Sequence, residues 1–435
     1  MKKLLGIMIP VAVQNVMLAA VGAGDAAMLG FVDENAMSAV AQAGNIQFLM
    51  GQILYAIVSS STIIASQYWG KQDTFAIGKV YGLILRYSVV ISLAFAVAAF
   101  AAPDLLMSFY TSDPTIRAMG AEYLRVVSAS YLLSGITQCS LCIMKATGQV
   151  RQSVTIGSVA LVLDTILNAV FIFVFRMGAT GAALTTVISR AVELGAVLLY
   201  RRKMAVQPSL KKIPRTLEKD LLKYGTPILI NSLVWGVGYS LFSVIIGQLG
   251  ATITAAYAVL DIVRQLSASL CYGLGNGAEI MVANALGSGD MVQAKEYGRR
   301  FSRLSVLCGV GCGAIAVIVG FLLSAVMSLS PEVLEALKVM IWLRAFGIAG
   351  QGINSVVICS VFAAGGDTAF DAYSVAVTMW LIILPLAAAA AFLWKWDPVW
   401  VFAVISLDEA IKIPWVYAHY KKYKWLRNLT RDVLQ

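Results

Sequence analysis

Two carboxylates in this sequence stand inside long apolar runs. The first, Asp25, ends the stretch Val21-Gly-Ala-Gly-Asp25, and no basic residue lies within two helical turns of it. A charge in hydrocarbon is costly, so a carboxylate there can take up a proton or ligate a cation. The pattern predicts Asp25 as a proton- or sodium-coupling group. The alternative is a solvated carboxylate at the outer mouth of a helix.

The second carboxylate, Asp164, is followed four residues later by Asn168. This spacing places both side chains on one face of a helix. Together an acid and an amide can offer two oxygens to one hard cation such as Na⁺. The alternative is a structural hydrogen-bond pair between helices.

A proline shares the apolar run of Asp25. Pro10 lies about four helical turns before that carboxylate, and Gly22 and Gly24 follow in the same run. Proline removes a backbone hydrogen bond and permits a bend. We therefore interpret Pro10 as a bend that links protonation to helix shape, although proline also occurs in membrane helices without a switching role.

Other side chains in the apolar runs give weaker signals. Trp235 and Tyr239 are one turn apart, and aromatic faces attract organic cations, which makes them cavity candidates; packing is the default interpretation. The remaining intramembrane charges are expected to pair locally: Arg190 with Glu193, Asp261 with Arg264, and Asp408 and Glu409 with Lys412.

The residues needed for metal or nucleophilic catalysis are sparse. All six cysteines fall in apolar runs, and the only histidine, His419, stands near the basic C-terminal end. We expect the cysteines to act as small packing residues. The sequence has no Gly-x-Ser-x-Gly elbow and no intramembrane histidine, so an enzyme is disfavoured.

Composition identifies the elements that must position these groups. Of 435 residues, 59% are hydrophobic and 13% are charged, about half the charged share of soluble domains. This predicts an all-α membrane protein. Its twelve transmembrane helices are predicted near 4–30, 37–68, 79–102, 120–144, 152–175, 178–200, 221–247, 253–285, 300–328, 338–363, 370–394 and 398–419.

The net charge of +10 is concentrated on alternate loops between these spans. Such a bias follows the positive-inside rule and places both termini in the cytoplasm. We therefore predict a multi-pass protein of the cytoplasmic (inner) membrane whose basic loops face lipid headgroups, with no role for nucleic acid.

The two halves of the chain repeat each other. One constant shift along the chain brings Pro10 onto Pro227 and Asp73 onto Asp290. This register predicts two six-helix lobes related by a pseudo-two-fold axis along the membrane normal. The predicted parts are an N-terminal lobe (1–200), a cytoplasmic basic linker (201–220), a C-terminal lobe (221–419) and a basic cytoplasmic tail (420–435).

The order of several motifs resembles the MATE (multidrug and toxic compound extrusion) transporters, on the bacterial NorM-like side. The segments that carry the resemblance are Asp25-Ala-Ala-Met-Leu-Gly30, the stretch from Gly178 to Glu193, Leu249-Gly-x-x-x-x-Ala-Ala256 and Gly365-Gly-Asp-Thr368. The likeness covers nearly the whole chain.

The resemblance implies antiport, in which an organic cation leaves as Na⁺ or H⁺ enters. It implies that Asp25 is the essential first-span acid and that Pro10 is the bending proline. It also implies a cation site made of Asp25, Asp164, Asn168 and Thr186, although the acid and the amide have exchanged places relative to the family.

The sequence departs from the family pattern in its second half. Where many members carry a glutamate after the seventh-span proline, this chain has Asn231 and Ser232. Around Asn354, in the tenth span, it has amide and apolar residues but no acid. These three residues are cavity candidates, and their chemistry shifts the expected coupling to the N-terminal lobe.

Together these patterns predict a secondary active antiporter that exports cationic amphipathic drugs by alternating access. No cofactor is expected beyond the coupling ion, and the family favours a monomer. The first alternative is a flippase for a lipid or lipid-linked substrate, which would favour a cavity dense in arginine. A membrane-embedded enzyme is the second.

Overall fold

The computed structural model describes residues 2–30, 33–211, 213–327 and 329–431, and all secondary structure in these ranges is helical. The α-helices are α1 Lys2–Gly30, α2 Glu34–Gly70, α3 Thr74–Ala101, α4 Pro103–Ser108, α5 Pro114–Ala146, α6 Val150–Ala169, α7 Gly178–Tyr200, α8 Arg215–Gly247, α9 Ala251–Gly287, α10 Met291–Val326, α11 Pro331–Val356, α12 Ala369–Val375, α13 Leu384–Ala388, α14 Pro398–Ser406 and α15 Asp408–Tyr420. Wider π-helical turns extend α6 over Val170–Val174 and α11 over Val357–Phe362, and α12 and α13 continue through Ala376–Ile383 and Ala389–Leu393.

Apart from the short helix α4, these helices form twelve rods. The helices α12 and α13 with their π turns make one rod, Ala369–Leu393, and α14 and α15 meet at Leu407 to make the last. Among the described residues, nine helices are long and apolar enough to cross a membrane. The prediction of an all-α membrane protein with twelve spans is confirmed.

The repeat predicted from the sequence recurs in the helix boundaries. Helix α2 spans 34–70 and α9 spans 251–287, and the shift that brings Pro10 onto Pro227 superposes both of their ends. The rods Val150–Val174 and Ala369–Leu393 also correspond, and each is 25 residues long. Backbone boundaries that repeat over this length require the same local stop and start signals in each half.

Left-handed backbone positions are among these signals. Gln72 has a φ of 62° and its counterpart Gly289 has a φ of 80°, each in the turn between two long helices. Arg176 (54°) and Lys395 (52°) form a second pair after the π turns. A non-glycine residue with positive φ is uncommon, so its recurrence at equivalent positions of the two halves indicates a shared turn geometry.

Caps repeat in the same way. The carboxylate of Asp73 accepts a hydrogen bond from the Ala76 backbone N–H at 2.9 Å, and Asp290 accepts one from Gln293 at 2.8 Å. Each cap satisfies one of the unpaired N–H groups at a helix start. The two turns that the repeat brings into register, at Asp73 and at Asp290, therefore end in the same way.

Contacts divide the described chain into two compact units. The N-terminal unit comprises residues 17–222, and the C-terminal unit comprises residues 2–16 with 223–431. In the N-terminal unit α5 packs against α2, α3 and α7; in the C-terminal unit α11 packs against α9, α10, α14 and α15. Each central helix buries 61% of its most apolar window, the highest share among the nine described helices that are long and apolar enough to cross a membrane.

The segment after α15 is packed rather than free over its described part. Trp425 is fully buried and stacks on Tyr420 with ring centroids 5.6 Å apart. Gly298 and Gly365 leave room for it, because a Cβ at either position would collide with Trp425. A single large aromatic thus anchors the basic end of the chain to the C-terminal unit.

Candidate functional site

Asp164 lies on α6 within the N-terminal unit and is partly buried. Ser189 and the charge of Arg190, both on α7, are its nearest polar neighbours. Asp164 Oδ1 and Ser189 Oγ are both buried, and neither has a hydrogen-bond partner of normal geometry among the described residues. A carboxylate oxygen that has lost water without gaining a donor is an open ligand position for a proton or a cation.

Arg190 does not neutralise this carboxylate directly. Its Nη1 donates to Glu193 Oε2 at 2.7 Å, and the Glu193 side chain is only 4% exposed. The predicted pairing of Arg190 with Glu193 is confirmed. Asp164 belongs to no ion pair in the described part of the chain.

Asn168 lies one turn from Asp164 and is buried. Its Oδ1 accepts a hydrogen bond from the Thr185 hydroxyl at 2.5 Å. The hydroxyl of Thr186 instead donates to the backbone carbonyl of Ala182 at 3.0 Å. The structure therefore brings Asn168 together with Thr185, the neighbour of the threonine that the sequence pointed to.

These contacts form a ladder between two antiparallel helices. Asp164 and Asn168 are four residues apart on α6, and Ser189 and Thr185 are four apart on α7. Matching spacings place one polar pair against the other, one turn apart. The spacing of Thr185 and Ser189 is the signal in the sequence that would have indicated this face of α7.

The first-span candidates are described only in part. The backbone of α1 is helical from Lys2 to Gly30, whereas the side chain of Asp25 lies outside the described residues. Pro10 lies inside α1, is partly buried, and belongs to the part of α1 grouped with the C-terminal unit. The roles of Asp25 and Pro10 remain predictions.

A cavity of about 50 Å³ lies inside the C-terminal unit. Both predicted aromatic residues line it: Trp235 stacks on Tyr239 with ring centroids 5.2 Å apart. The Tyr239 hydroxyl donates to Asp261 Oδ1 at 2.7 Å, and Arg264 binds the same carboxylate at 3.1 Å. The predicted pairing of Asp261 with Arg264 is confirmed, and it fixes the aromatic wall of the cavity.

Acidic residues also line the cavity. Asp408 and Glu409 both contact Lys412, at 3.3 Å and 2.9 Å, and the Lys412 side chain is 3% exposed. This confirms the predicted cluster. Asn354 holds one of these acids in place, since its Nδ2 donates to Glu409 Oε2 at 2.8 Å.

A fourth acid of this unit was not anticipated. Asp371 on α12 accepts a hydrogen bond from Asn231 Nδ2 at 2.8 Å and interacts electrostatically with Lys412 and Glu409. Ser232, next to Asn231, is partly buried. The seventh and tenth spans carry no acid at the family positions, but the eighth, eleventh and twelfth spans supply acids instead. Their arrival at one place depends on helix packing, which the sequence does not display.

One arginine at the cavity forms no ion pair with a carboxylate of the described residues. Arg344 is 6% exposed, and its guanidinium lies over Tyr257 at 5.3 Å and over Phe402 at 4.9 Å. Its Nε and Nη2 have no hydrogen-bond partner among the described residues. Two aromatic faces stabilise this charge, while two of its donors remain available to a ligand.

Comparison with known proteins places this geometry in a family. The MatE family model matches residues 10–170 and 227–389, which covers both units. An uncharacterized transporter, YisQ of Bacillus subtilis, is 23% identical over 93% of this chain and 91% of its own length. A probable multidrug resistance protein, NorM of Thermotoga maritima, is 22% identical over 78% of this chain and 74% of its own.

Solved structures agree on the fold. A mutant of the Vibrio cholerae MATE transporter VcmN superposes with a TM-score of 0.89 at 16% identity, over 98% of each chain. A MOP superfamily transporter from Pyrococcus furiosus gives 0.85 at 14% identity, over 97% of this chain and 96% of its own. With twelve helical rods, a duplicated backbone and a family match over both halves, this chain belongs to the MATE family of membrane transporters and is not an enzyme.

Proposed function

We propose that the protein is a secondary active antiporter that exports organic cations in exchange for Na⁺ or H⁺ by alternating access. The observation that carries the proposal is the buried Asp164 Oδ1, which accepts no hydrogen bond of normal geometry and belongs to no ion pair among the described residues, while the charge of Arg190 acts on it from α7. Binding of a cation or a proton at such a site is favourable, because it compensates the negative charge of the buried carboxylate. The arrival of the ion is thereby linked to the conformation that offers the site.

The oxygens of the α6–α7 ladder suit a hard monovalent cation. Asp164 Oδ1 and Ser189 Oγ are open, and Asn168 and Thr185 supply an amide and a hydroxyl oxygen one turn away. We propose Asp25, Asp164, Asn168 and Thr186 as the Na⁺ ligands implied by the family, with Thr185 as the hydroxyl in contact with Asn168. A proton at Asp164 or Asp25 is the competing form of the same coupling.

The substrate class follows from the C-terminal cavity. Trp235 and Tyr239 offer aromatic faces, and Asp408 and Glu409 add negative charge. Aromatic faces and carboxylates both attract an organic cation. The name multidrug resistance protein, borne by several relatives, is compatible with a cationic amphipathic substrate. We propose that this wall receives the substrate during export.

The site assignments extend to location and organisation. We propose two lobes (1–200 and 221–419) joined by the linker 201–220, in a monomer of the cytoplasmic membrane with both termini inside. Packing of the linker supports this arrangement: Lys79 Nζ donates to the Lys211 carbonyl at 2.5 Å, and the Ser209 N–H donates to the Gly78 carbonyl at 2.8 Å. These two hydrogen bonds hold the basic linker against α3.

The test uses purified protein in liposomes loaded with a fluorescent organic cation. An inward Na⁺ gradient at fixed pH and an inward H⁺ gradient without Na⁺ are applied to wild type and to Asp25→Asn. We expect efflux under one gradient only, and its loss in the mutant. Asp104→Asn is the matched control, because Asp104 is 55% exposed and pairs with Arg125 at the surface. Efflux by Asp25→Asn at the wild-type rate would contradict the coupling role.

One observation favours a second candidate function. Two arginines, Arg264 and Arg344, line the same cavity, and Arg344 keeps two unpaired donors among the described residues. Guanidinium donors match phosphate geometry, so a flippase for a lipid or lipid-linked phosphate is the alternative. Liposomes with a fluorescent phospholipid in one leaflet separate the two: lipid movement without cation efflux in either gradient would establish the flippase.

A further inference from the structure

Three thiols meet in the C-terminal unit. Cys271 lies on α9, and Cys308 and Cys312 lie four residues apart on α10. The Cys271 sulfur is 3.4 Å from that of Cys308 and 3.3 Å from that of Cys312. All three sulfurs fall within 4.8 Å of one another, so a single atom can bridge them.

The surroundings of this thiol cluster (Cys271, Cys308 and Cys312) are apolar. Its neighbours include Val263, Ala316, Ala345 and Ile348. Gly352 on α11 completes the wall, because a Cβ there would lie 2.6 Å from the Cys271 sulfur. Cys271 and Cys312 are buried, whereas Cys308 is only partly buried and is the most accessible sulfur of the cluster.

The other buried thiols of the chain are engaged differently. Cys139 lies 2.9 Å from the Ser88 hydroxyl, and Cys142 lies 3.1 Å from that of Thr62. Each of these sulfurs has a hydroxyl within hydrogen-bond distance. Cys139 is therefore a matched control: a buried cysteine of the same fold, outside the cluster.

Charge decides which ion suits three thiols in apolar surroundings. Thiolate is the ligand form of cysteine, so three ligands bring three negative charges. A monovalent ion would leave two of them uncompensated and a divalent ion one, at high cost in a low-dielectric site. A trivalent thiophilic centre leaves none.

The sulfur spacing agrees with this choice. Three sulfurs in a plane around a zinc ion, at about 2.3 Å each, would lie about 4 Å apart. The separations of 3.3 Å and 3.4 Å are shorter. Such a spacing fits a pyramid, in which the central atom stands above the three sulfurs and carries a lone pair.

We propose that Cys271, Cys308 and Cys312 form a binding site for trivalent arsenic or antimony, taken up as the neutral hydroxide. Three S–H bonds and three bonds from the centre to hydroxyl break, three bonds from the centre to sulfur form, and three water molecules leave. No oxidation state changes and no net charge enters the apolar site. The bound atom links α9 to α10. Its binding depends neither on the direction of transport nor on the coupling ion.

The test is the intact mass of the full-length protein after incubation with arsenite in detergent. We expect one arsenic gained and three hydrogens lost per chain, together with protection of three thiols from alkylation. Cys271→Ser and Cys308→Ser should each abolish this species, and Cys139→Ser should keep it. Bound arsenite should also raise the thermal unfolding midpoint of wild type, as for any ligand of the folded state.

Three outcomes would overturn the proposal: an unchanged mass in wild type, a species that loses only two hydrogens, or equal arsenic uptake in Cys271→Ser. Misfolding of a variant is monitored by its unfolding midpoint without arsenite. If Cys271→Ser unfolds early, Cys308→Ser at the partly exposed position decides the matter.

Discussion

The two units share a backbone but not a chemistry. Helix ends, caps and left-handed turns recur at equivalent positions of the two halves. Within this common frame, the N-terminal unit holds a partly buried acid without an ion pair, Asp164, among its described residues. The C-terminal unit holds Asp261, Asp408 and Glu409, each paired with a basic side chain, and Asp371, which accepts a hydrogen bond from Asn231 and interacts electrostatically with Lys412.

This difference separates two uses of a charge inside a membrane protein. Paired charges are satisfied in the folded state, so they hold helices in place and have little reason to bind a further ion. An acid without a partner is poorly stabilised until an ion arrives, which couples its occupancy to conformation. This contrast supports our proposal that ion coupling takes place in the N-terminal unit, and that the cavity of the C-terminal unit receives the substrate.

The largest effect is expected at Lys412. Lys412→Met leaves Asp408 and Glu409 buried without their shared cation, and breaking a buried pair of this kind costs about 3–5 kcal/mol. Thermal unfolding in detergent should show a markedly lower midpoint. A midpoint equal to that of wild type would mean that the C-terminal charges are as loosely held as Asp164, and the contrast between the units would fail.

Asp164→Asn is expected to reduce transport strongly and stability only slightly. Gradient-driven transport should fall at least about tenfold, since one coupling ligand loses about 1.4 kcal/mol or more. The unfolding free energy should change by less than about 1 kcal/mol, because no ion pair is broken. Efflux in liposomes and unfolding in detergent are measured on the same preparation, with Asp104→Asn alongside. Unimpaired transport, or strong destabilisation, would place Asp164 with the structural charges.

A close helix contact tests the grouping of the first half of α1 with the C-terminal unit. A Cβ at Gly273 on α9 would lie 2.7 Å from the Met8 carbonyl oxygen and 2.8 Å from the Ala12 Cβ. Gly273→Val should therefore destabilise the protein by about 1–3 kcal/mol through overpacking. Gly311→Val is the control, since nothing lies within 4 Å of a Cβ at that position. Equal midpoints for the two variants would show that α1 and α9 are not tightly packed there.

The smallest effect distinguishes two adjacent threonines. Thr185→Val removes the hydrogen bond to the buried Asn168 and should cost about 1–2 kcal/mol together with a reduced transport rate. Thr186→Val removes only a hydroxyl bonded to its own helix backbone and should be nearly neutral in stability. A larger loss of transport in Thr186→Val than in Thr185→Val would restore the family assignment of Thr186 as the ligand.

Local spacing explains which parts of the sites were predictable. The pairs Arg190–Glu193 and Asp261–Arg264 are three residues apart on one helix, so their contact follows from helical geometry alone. The ladder between α6 and α7 needed the register of two helices, and the sequence pointed to Thr186 instead of Thr185. Asp371 escaped notice because its partners lie on other spans.

The amino-acid sequence by itself determined the membrane class, the twelve spans and the duplication, because apolar length, caps and turn residues act over a few neighbouring positions. Only the tertiary structure decided which thiols, acids and hydroxyls meet. Cys271 contacts Cys308 and Cys312 across two consecutive helices, and Asn231 contacts Asp371 across helices that are 140 residues apart in the chain. Such contacts depend on the rotation and register of packed helices. The pattern of apolar residues along one helix determines neither.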